Sequence, residues 1–143
     1  MSGLLPFLHI AGGLKRVQRQ GWLHHRVPVR IESVADHSWR VAVLAMALDD
    51  GPHDRQRALR MGLLHDLQEA LVGDMMPESK SGVSATEKHE LERKAVEKLV
   101  SLLPEGDLKR ELPILFDEYE RGTSATAVFV KASRSILFCC CLV

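Results

Sequence analysis

Apolar residues in this chain recur at spacings of three and four along most of its length, and the strict alternation typical of strands is nearly absent. A helix repeats every 3.6 residues, whereas a half-buried strand repeats every two. The pattern therefore predicts an all-α fold. At 143 residues the chain is long enough to bury one core but not two, so we expect a single domain over residues 1–143.

Six helical segments are predicted from apolar stripes bounded by capping residues, glycine or proline. They run over residues 4–16, 33–48, 54–72, 84–103, 107–121 and from 124 toward the carboxyl end. The second is almost wholly apolar, so we expect it to be central and buried. In the fifth we expect a kink or a restart at Pro113, because an interior proline costs about 3 kcal/mol. Residues 17–31 form a polar, Arg- and His-rich loop of the kind that often carries function.

The charge balance limits the classes of partner. Nineteen basic and nineteen acidic side chains cancel, which argues against broad nucleic-acid binding because that depends on excess positive charge. The first fourteen residues lack the pattern of a signal peptide, and no apolar run has the length of a membrane span. Cysteines occur only at positions 139–141, where they cannot staple the fold. We therefore expect a soluble, intracellular and most simply cytoplasmic protein.

Two polar pairs interrupt the most apolar helices. Asp36-His37 opens the second segment, and His65-Asp66 lies toward the end of the third. Such groups are costly on buried helices unless they are paired or bound. Imidazole nitrogens and carboxylate oxygens together suit a divalent cation such as Mn²⁺, Fe²⁺, Co²⁺ or Zn²⁺. Two packed helices would bring His37, His65 and Asp66 to one point, leaving open positions for water and substrate.

Glu69 follows Asp66 by three residues and is expected on the same helical face. There it would take a proton from an attacking water or protonate a leaving group. Alternatives exist for each residue alone: a histidine at a helix start is more often a cap or core residue, and a His-Asp pair arises by chance. The combination of His37, His65-Asp66 and the following acid favours a metal centre.

That combination resembles the signature of the HD superfamily of metal-dependent phosphohydrolases. Within it the chain is most similar to the HD domain-containing 2 group, itself similar to bacterial 5′-deoxynucleotidases. The resemblance spans about residues 4–131. The segments that carry it are Leu14-Lys15-Arg16, Arg19-Gln20-Gly21-Trp22, Glu32-Ser33-Val34-Ala35-Asp36-His37, Leu64-His65-Asp66-Leu67-Gln68-Glu69-Ala70, Val72-Gly73-Asp74 and Glu87-Lys88-His89.

The resemblance implies an HD-domain bundle of about six helices that binds Mn²⁺, Co²⁺ or Mg²⁺ and forms homodimers. It implies removal of the 5′-phosphate from deoxynucleoside monophosphates, with deoxynucleoside and phosphate as products. The metal ligands it implies are His37, His65 and Asp66. Glu69 matches the acid that assists attack by water.

The substrate contacts that the resemblance implies lie in two loops. Arg16 and Arg19 fall where the family holds phosphate, and Trp22 belongs to the same motif. Guanidinium groups bind phosphate bidentately and stabilise the transferring group, which agrees with this placement. Asp74 matches a carboxylate near the sugar that helps to choose between deoxyribose and ribose. The alternatives are a solvated helix end for the two arginines and a turn residue for Asp74.

The resemblance breaks near the carboxyl end. Where the family has Phe-Val-Lys, two residues and a metal-binding aspartate, this chain has Phe129-Val130-Lys131 followed by Ala132, Ser133 and Arg134. A lost ligand and a nearby positive charge should weaken metal binding, although the long Arg134 side chain has room to turn toward solvent. Residues 132–143 no longer resemble the family, and we interpret them as a divergent tail that replaces the family's last helices.

These observations favour a 5′-deoxynucleotidase over three alternatives. The first is a weakened or inactive form that binds a nucleotide or a partner chain without turnover, which Arg134 favours. The second is a purely structural helical module, which leaves the buried acids and histidines unexplained. The third is a hydrolase of cyclic nucleotides or other phosphoesters, because a fold does not determine a substrate.

Overall fold

The computed structural model describes residues 3–24, 31–48, 51, 53–76 and 78–140, and these are helical apart from turns and one isolated β-bridge between Gln18 and Ser33. The helices are α1 (Leu4–Gly12), α2 (Gln20–His24), α3 (Val34–Ala47), α4 (Arg55–Leu64), α5 (Glu69–Val72), α6 (Glu78–Ser81), α7 (Ala85–Leu102), α8 (Asp107–Arg121) and α9 (Ala125–Cys140). A 3₁₀ turn, Gly13–Arg16, follows α1. The all-α prediction is confirmed.

Each of the six predicted segments has a helical counterpart, but their continuity differs from the prediction. The third segment is divided, because α4 ends at Leu64 and a turn over residues 65–68 separates it from α5. The fifth does not restart at Pro113, since α8 runs unbroken past it. The loop predicted over residues 17–31 contains the short helix α2, and its residues 25–30 lie outside the described part of the chain.

A capping box fixes the start of α3. Ser33 Oγ accepts a hydrogen bond from the Asp36 backbone N–H at 3.1 Å, and Asp36 Oδ2 accepts one from the Ser33 N–H at 2.9 Å. These bonds satisfy two backbone donors that the helix itself cannot pair. Because the helix begins at Val34, His37 lies in its first turn.

Close packing of α3 on α4 brings their polar residues together. At Gly62 of α4 an added Cβ would lie 3.0 Å from Val41 Cγ1 and 3.2 Å from the Ala42 backbone nitrogen. Contacts this short leave no space for a side chain, so glycine permits the close approach. His37 and His65, at neighbouring ends of these helices, consequently have ring centroids 5.5 Å apart.

Two apolar clusters form the core, and the partly buried Leu64 packs against both. One contains Phe7, Leu14, Val34, Leu67, Val96, Leu99, Leu103, Leu112 and Phe116. The other contains Val41, Ala45, Ala58, Met61, Leu115, Tyr119, Ala127 and Val130. Since the chain turns at His65 directly after Leu64, the polar residues that follow lie where the two clusters meet.

The prediction that the second helix is wholly buried is wrong for one face. Trp39, Val43 and Met46 of α3 are 64%, 42% and 61% exposed. They are spaced by four and three residues, so they form an outward stripe. Packing against α4 and α9 covers only the opposite face, because a helix buries just the side that its neighbours reach.

Among the helices of the described ranges, none combines the length and apolar content needed to cross a bilayer.

Candidate metal centre and its pocket

Three predicted ligands converge in the structure. His37 from α3, and His65 and Asp66 from the turn after α4, each offer one ligand atom, and these atoms lie within 4.8 Å of one another. All three side chains are buried. The division of the predicted third helix matters here, because His65 and Asp66 lie in a turn rather than inside a helix.

Neighbouring oxygens orient both imidazole rings. His65 Nδ1 lies 2.9 Å from the Gly62 carbonyl oxygen, which can only accept, so Nδ1 carries the proton. His37 Nδ1 faces Glu32 Oε1 at 3.4 Å, and Arg40 Nη1 donates to Glu32 Oε2 at 2.9 Å. Both Nε2 atoms are buried, and neither has a hydrogen-bond partner among the described residues. An imidazole oriented through one nitrogen, with the other nitrogen free, is the usual arrangement of a metal ligand.

The distance between His65 and Asp66 supports the same conclusion. His65 Nε2 lies 3.1 Å from Asp66 Oδ2. With its proton on Nδ1, the neutral ring presents a lone pair to a carboxylate oxygen, which is a repulsive pairing. Either a second proton on the ring or a cation bound by both atoms is required to hold them so close. The residues present therefore fit a divalent cation.

For both His37 and Asp66, burial and the neighbouring side chains shift the pKa in opposite directions, and the net pKa of each is lowered. Burial lowers the pKa of His37, although the hydrogen bond with Glu32 opposes this, so the ring favours the neutral form that binds metals. Burial alone would raise the pKa of Asp66, but the His65 imidazole at 3.1 Å and two nearby arginines hold it well below its usual range. Asp66 therefore favours the ionised form that binds metals.

The pKa of Glu69 is shifted in the opposite direction from the pKa of Asp66. Burial, followed by the negative charges of Asp66 and Asp74, raises the pKa of Glu69 to about 10. The carboxyl group is therefore protonated at neutral pH in this arrangement. Its Oε2 atom is buried and makes no hydrogen bond within the described part of the chain. A buried carboxyl with a raised pKa beside a candidate metal centre is typical of a catalytic acid or base.

A cavity of about 520 Å³ opens beside these residues. Its volume lies in the range of pockets for small organic ligands. Charged and polar side chains from five parts of the chain line it: Arg19, Asp66, Glu69, Asp74, Lys88, Glu92, Glu120 and Arg134. The cavity therefore joins the candidate metal centre to groups able to bind a polar, charged ligand.

The structure separates the predicted substrate residues into two groups. Arg19 and Asp74 line the cavity, and Arg19 Nη1 lies 3.1 Å from Asp66 Oδ2. Asp74 Oδ2 accepts a hydrogen bond of 2.8 Å from the Gln20 N–H, at the start of α2. Arg16 is exposed on the 3₁₀ turn, and Trp22 is buried; neither lines the cavity.

Arg134 lies in the cavity wall, partly exposed, and in this structure its side chain is turned inward rather than toward solvent. Arg134 Nη1 donates a hydrogen bond of 2.7 Å to Tyr119 Oη, and its Nε atom is buried. Val130 and Ser133, its neighbours on the inner face of α9, are also buried. The side chain is directed inward because α9 packs with this face toward α3, α4 and α8.

Sequence reasoning assigned no role to Glu32, Glu92 or Tyr119, which the structure brings to the site. Glu32 orients His37, and Tyr119 binds Arg134. Glu92 is buried in the cavity wall, 3.7 Å from Lys88 Nζ. The sequence could have indicated a role for Glu92, because it lies on the apolar face of α7 and a buried acid there needs a partner.

The family model described as HD domain matches residues 11–140. The 5′-deoxynucleotidase HDDC2 of Homo sapiens is 45% identical over 128 residues, covering 90% of this chain and 61% of that protein. The 5′-deoxynucleotidase HDDC2 of Dictyostelium discoideum is 38% identical over 139 residues, covering 92% and 71%. This chain thus spans about three fifths of the length of the vertebrate relatives.

Solved structures agree with this relationship. The predicted metal-dependent phosphohydrolase from Magnetospirillum magnetotacticum superposes with a TM-score of 0.75 at 33% identity, covering 92% of this chain and 65% of that one. A conserved hypothetical protein from Pyrococcus furiosus gives a TM-score of 0.69 at 32% identity, covering 91% and 74%. The resemblance inferred from the motifs is confirmed, and the chain belongs to the HD domain family.

Proposed function

We propose that the chain is a metal-dependent phosphohydrolase that removes the 5′-phosphate from deoxynucleoside 5′-monophosphates. The observation that carries this proposal is the convergence of two unpartnered imidazole Nε2 atoms on Asp66, beside the protonated Glu69. The names of the relatives, 5′-deoxynucleotidases, support the substrate class. The name of the Magnetospirillum neighbour supports metal dependence.

His37 Nε2, His65 Nε2 and an Asp66 carboxylate oxygen would hold the cation. Mixed nitrogen and oxygen ligands are compatible with Mn²⁺, Co²⁺ or Mg²⁺, and three protein ligands leave positions open. When bound, the cation supplies positive charge that lowers the pKa of water and stabilises the transferring phosphoryl group. Glu32 and the Gly62 carbonyl keep the two rings in the tautomer that this role requires.

Glu69 moves the proton. Hydrolysis forms a bond between a water oxygen and phosphorus and breaks the bond between phosphorus and O5′ of the sugar. The water loses a proton and O5′ gains one. Without a cation nearby the pKa of Glu69 is raised to about 10, and added positive charge would lower it. The ionised carboxylate would then accept the proton that the water loses and pass it to O5′.

Arg19 and Asp74 would bind the two ends of the substrate. The Arg19 guanidinium has the geometry to hold two phosphate oxygens, and it reaches the cavity beside Asp66. Asp74 uses one oxygen for the Gln20 N–H, so its second oxygen is available for a sugar hydroxyl. The backbone N–H of Trp22 donates a hydrogen bond to the Arg19 carbonyl at 3.1 Å. Trp22 would thereby support the segment that carries Arg19. Three expectations remain predictions: a phosphate contact by Arg16, homodimer formation and a cytoplasmic location.

A second candidate is a form that binds a nucleotide without turnover. The observation that favours it is the placement of Arg134 in the cavity wall. Under this alternative the cavity, Arg19 and Asp74 would still accept a nucleotide, while metal-dependent hydrolysis would be slow or absent.

Phosphate release from deoxyadenosine monophosphate separates the two candidates. Metal-stripped protein is assayed alone and with Mn²⁺ or Co²⁺ added, beside Glu69→Gln and the matched control Glu97→Gln on the exposed face of α7. We expect metal-dependent release that the Glu69 variant loses by at least about hundredfold and the control retains. Protein that is folded by circular dichroism but releases no phosphate with either metal would reject hydrolysis and favour the second candidate.

A further inference from the structure

We propose that Arg134 is an internal cation of this metal centre, so that its guanidinium group and a divalent ion compete for the same carboxylate-lined space. Arg134 then supplies positive charge to the pocket without metal, and a metal ion binds only when Arg134 moves aside. The inference rests on the proposed function in taking His37, His65 and Asp66 as the metal ligands.

The register of α9 directs Arg134 into the protein. Val130 and Ser133 are 0% and 1% exposed, and Leu137 packs against the second apolar cluster. Arg134 lies between them at helical spacing, four residues after Val130 and three before Leu137, so it shares their inner face. Arg134 itself is partly exposed, because it lines the cavity beside these packed neighbours.

Tyr119 anchors the guanidinium but does not neutralise it. The hydrogen bond from Arg134 Nη1 to Tyr119 Oη is 2.7 Å long, and the Tyr119 ring lies 4.9 Å from the His65 ring between centroids. Burial raises the pKa of Tyr119, so the phenol is neutral. The counter-charge of Arg134 must therefore come from the carboxylates that line the same cavity.

The charges in the pocket oppose a second cation. The Asp66 Oδ2 atom already faces Arg19 Nη1 at 3.1 Å. Arg134 lines the same cavity as Asp66 and Arg19. Two guanidinium groups thus share the cavity with the Asp66 carboxylate before any metal arrives. Arginine does not lose its proton in proteins, so repulsion toward a divalent ion can be relieved only by moving the side chain.

The test measures Mn²⁺ affinity by calorimetry on metal-stripped protein. The set is the parent chain, Arg134→Gln, Arg134→Asp and the matched control Arg121→Gln, which removes an exposed arginine of α8. We expect Arg134→Gln to bind Mn²⁺ at least about tenfold more tightly than the parent, because a buried positive charge is removed. The Asp variant also adds a carboxylate ligand, so we expect a gain of about hundredfold; the control should stay within about twofold.

Thermal unfolding gives a second readout without turnover. We expect Mn²⁺ to raise the melting temperature of Arg134→Asp in a concentration-dependent way, since an ion that binds only the folded state stabilises it. The parent should show a smaller rise than Arg134→Asp at the same Mn²⁺ concentration. Should Arg134→Asp fail to fold, Tyr119→Phe removes the anchor while retaining the charge, and we expect about threefold tighter Mn²⁺ binding.

Two results would overturn the inference, and they differ in what they leave standing. Equal Mn²⁺ affinity in the parent and the Arg134 variants would show that Arg134 is no competitor, while the metal centre itself would survive. Failure of every folded variant to bind Mn²⁺ would remove both the competition and the metal centre of the proposed function.

Discussion

Arg19 and Asp66, forty-seven positions apart in the chain, meet with Arg19 Nη1 3.1 Å from Asp66 Oδ2. The same oxygen lies 3.1 Å from His65 Nε2, so one carboxylate links the candidate metal ligands to the candidate phosphate-binding residue. Binding of a phosphate ester to Arg19 would compete with this ion pair. Under the proposed function Arg19 binds substrate, and its loss should spare the metal centre.

Replacement of Arg19 by Met separates these roles. We expect kcat/KM for deoxyadenosine monophosphate to fall by about hundredfold, because a charge-assisted phosphate contact is lost. Mn²⁺ affinity should not fall, since removing a cation from Asp66 does not remove a ligand. Steady-state kinetics and calorimetry measure the two quantities. Arg16→Met is the control, and its effect should be smaller because Arg16 is exposed outside the cavity; weaker Mn²⁺ binding in Arg19→Met would contradict the assignment.

Replacement of Glu32 by Gln tests the orientation of His37. Glu32 Oε1 lies 3.4 Å from His37 Nδ1, and a carboxylate there fixes the ring with Nε2 toward the metal. We expect Mn²⁺ affinity to fall by about tenfold to hundredfold, as is usual when the outer partner of a ligating histidine is lost. Glu111→Gln removes a surface ion pair with Arg60 and serves as the control. Unchanged affinity in Glu32→Gln would mean that the ring needs no such partner.

Replacement of Asp74 by Asn tests sugar discrimination. Asparagine keeps an acceptor for the Gln20 N–H but removes the negative charge, so the start of α2 should stay in place. We expect the ratio of kcat/KM for deoxyadenosine monophosphate over adenosine monophosphate to fall by about tenfold. Asp74→Ala should additionally cost about 1 kcal/mol of stability through the lost cap. A selectivity ratio that survives in Asp74→Asn would assign Asp74 a structural role only.

The surroundings of Glu118 predict that the free energy of unfolding depends on pH. Burial raises the pKa of Glu118, but hydrogen bonds from Arg57 and Ser124, each 2.6 Å long, outweigh it and hold the pKa below its usual value of 4.5. A lowered folded-state pKa means that the stabilisation is fully present above about pH 4.5 and is lost as the pH falls through the folded-state value.

The variant Glu118→Gln should therefore be less stable than the parent by about 1 kcal/mol at neutral pH. The difference should shrink as the pH falls below 4.5 and through the lowered folded-state pKa, where Glu118 itself becomes protonated. Urea unfolding at several pH values measures both quantities. Glu97→Gln, on the exposed face of α7, should show no comparable loss at neutral pH, and a difference that persists unchanged at acid pH would contradict the linkage.

Most of the helices could be predicted from residues that are close together in the sequence. Helical spacing identified the six main segments, and S-x-x-D and S-x-x-E patterns at Ser33 and Ser84 mark helix starts that the structure contains. These features are predictable because capping and amphipathicity depend on residues within about one turn of each other. The convergence of His37 on His65 and Asp66 was also predictable, since buried polar groups on adjacent helices need a common partner.

Other features of the site depend on packing between distant parts of the chain. The division of α4 from α5, the inward direction of Arg134 and the separation of Arg19 from Arg16 have no clear local pattern. Long side chains can take several directions from the same backbone, and their neighbours in space select among them.

The sequence alone thus determined the fold class and the chemical types gathered at the centre, because periodicity and residue chemistry are local properties. Only the tertiary structure decided which groups share Asp66. Arg19 meets it across forty-seven positions, and α9 turns Arg134 toward the same pocket. The physical reason is that charges interact over distances of a few ångströms in space, and packing of the helices sets those distances.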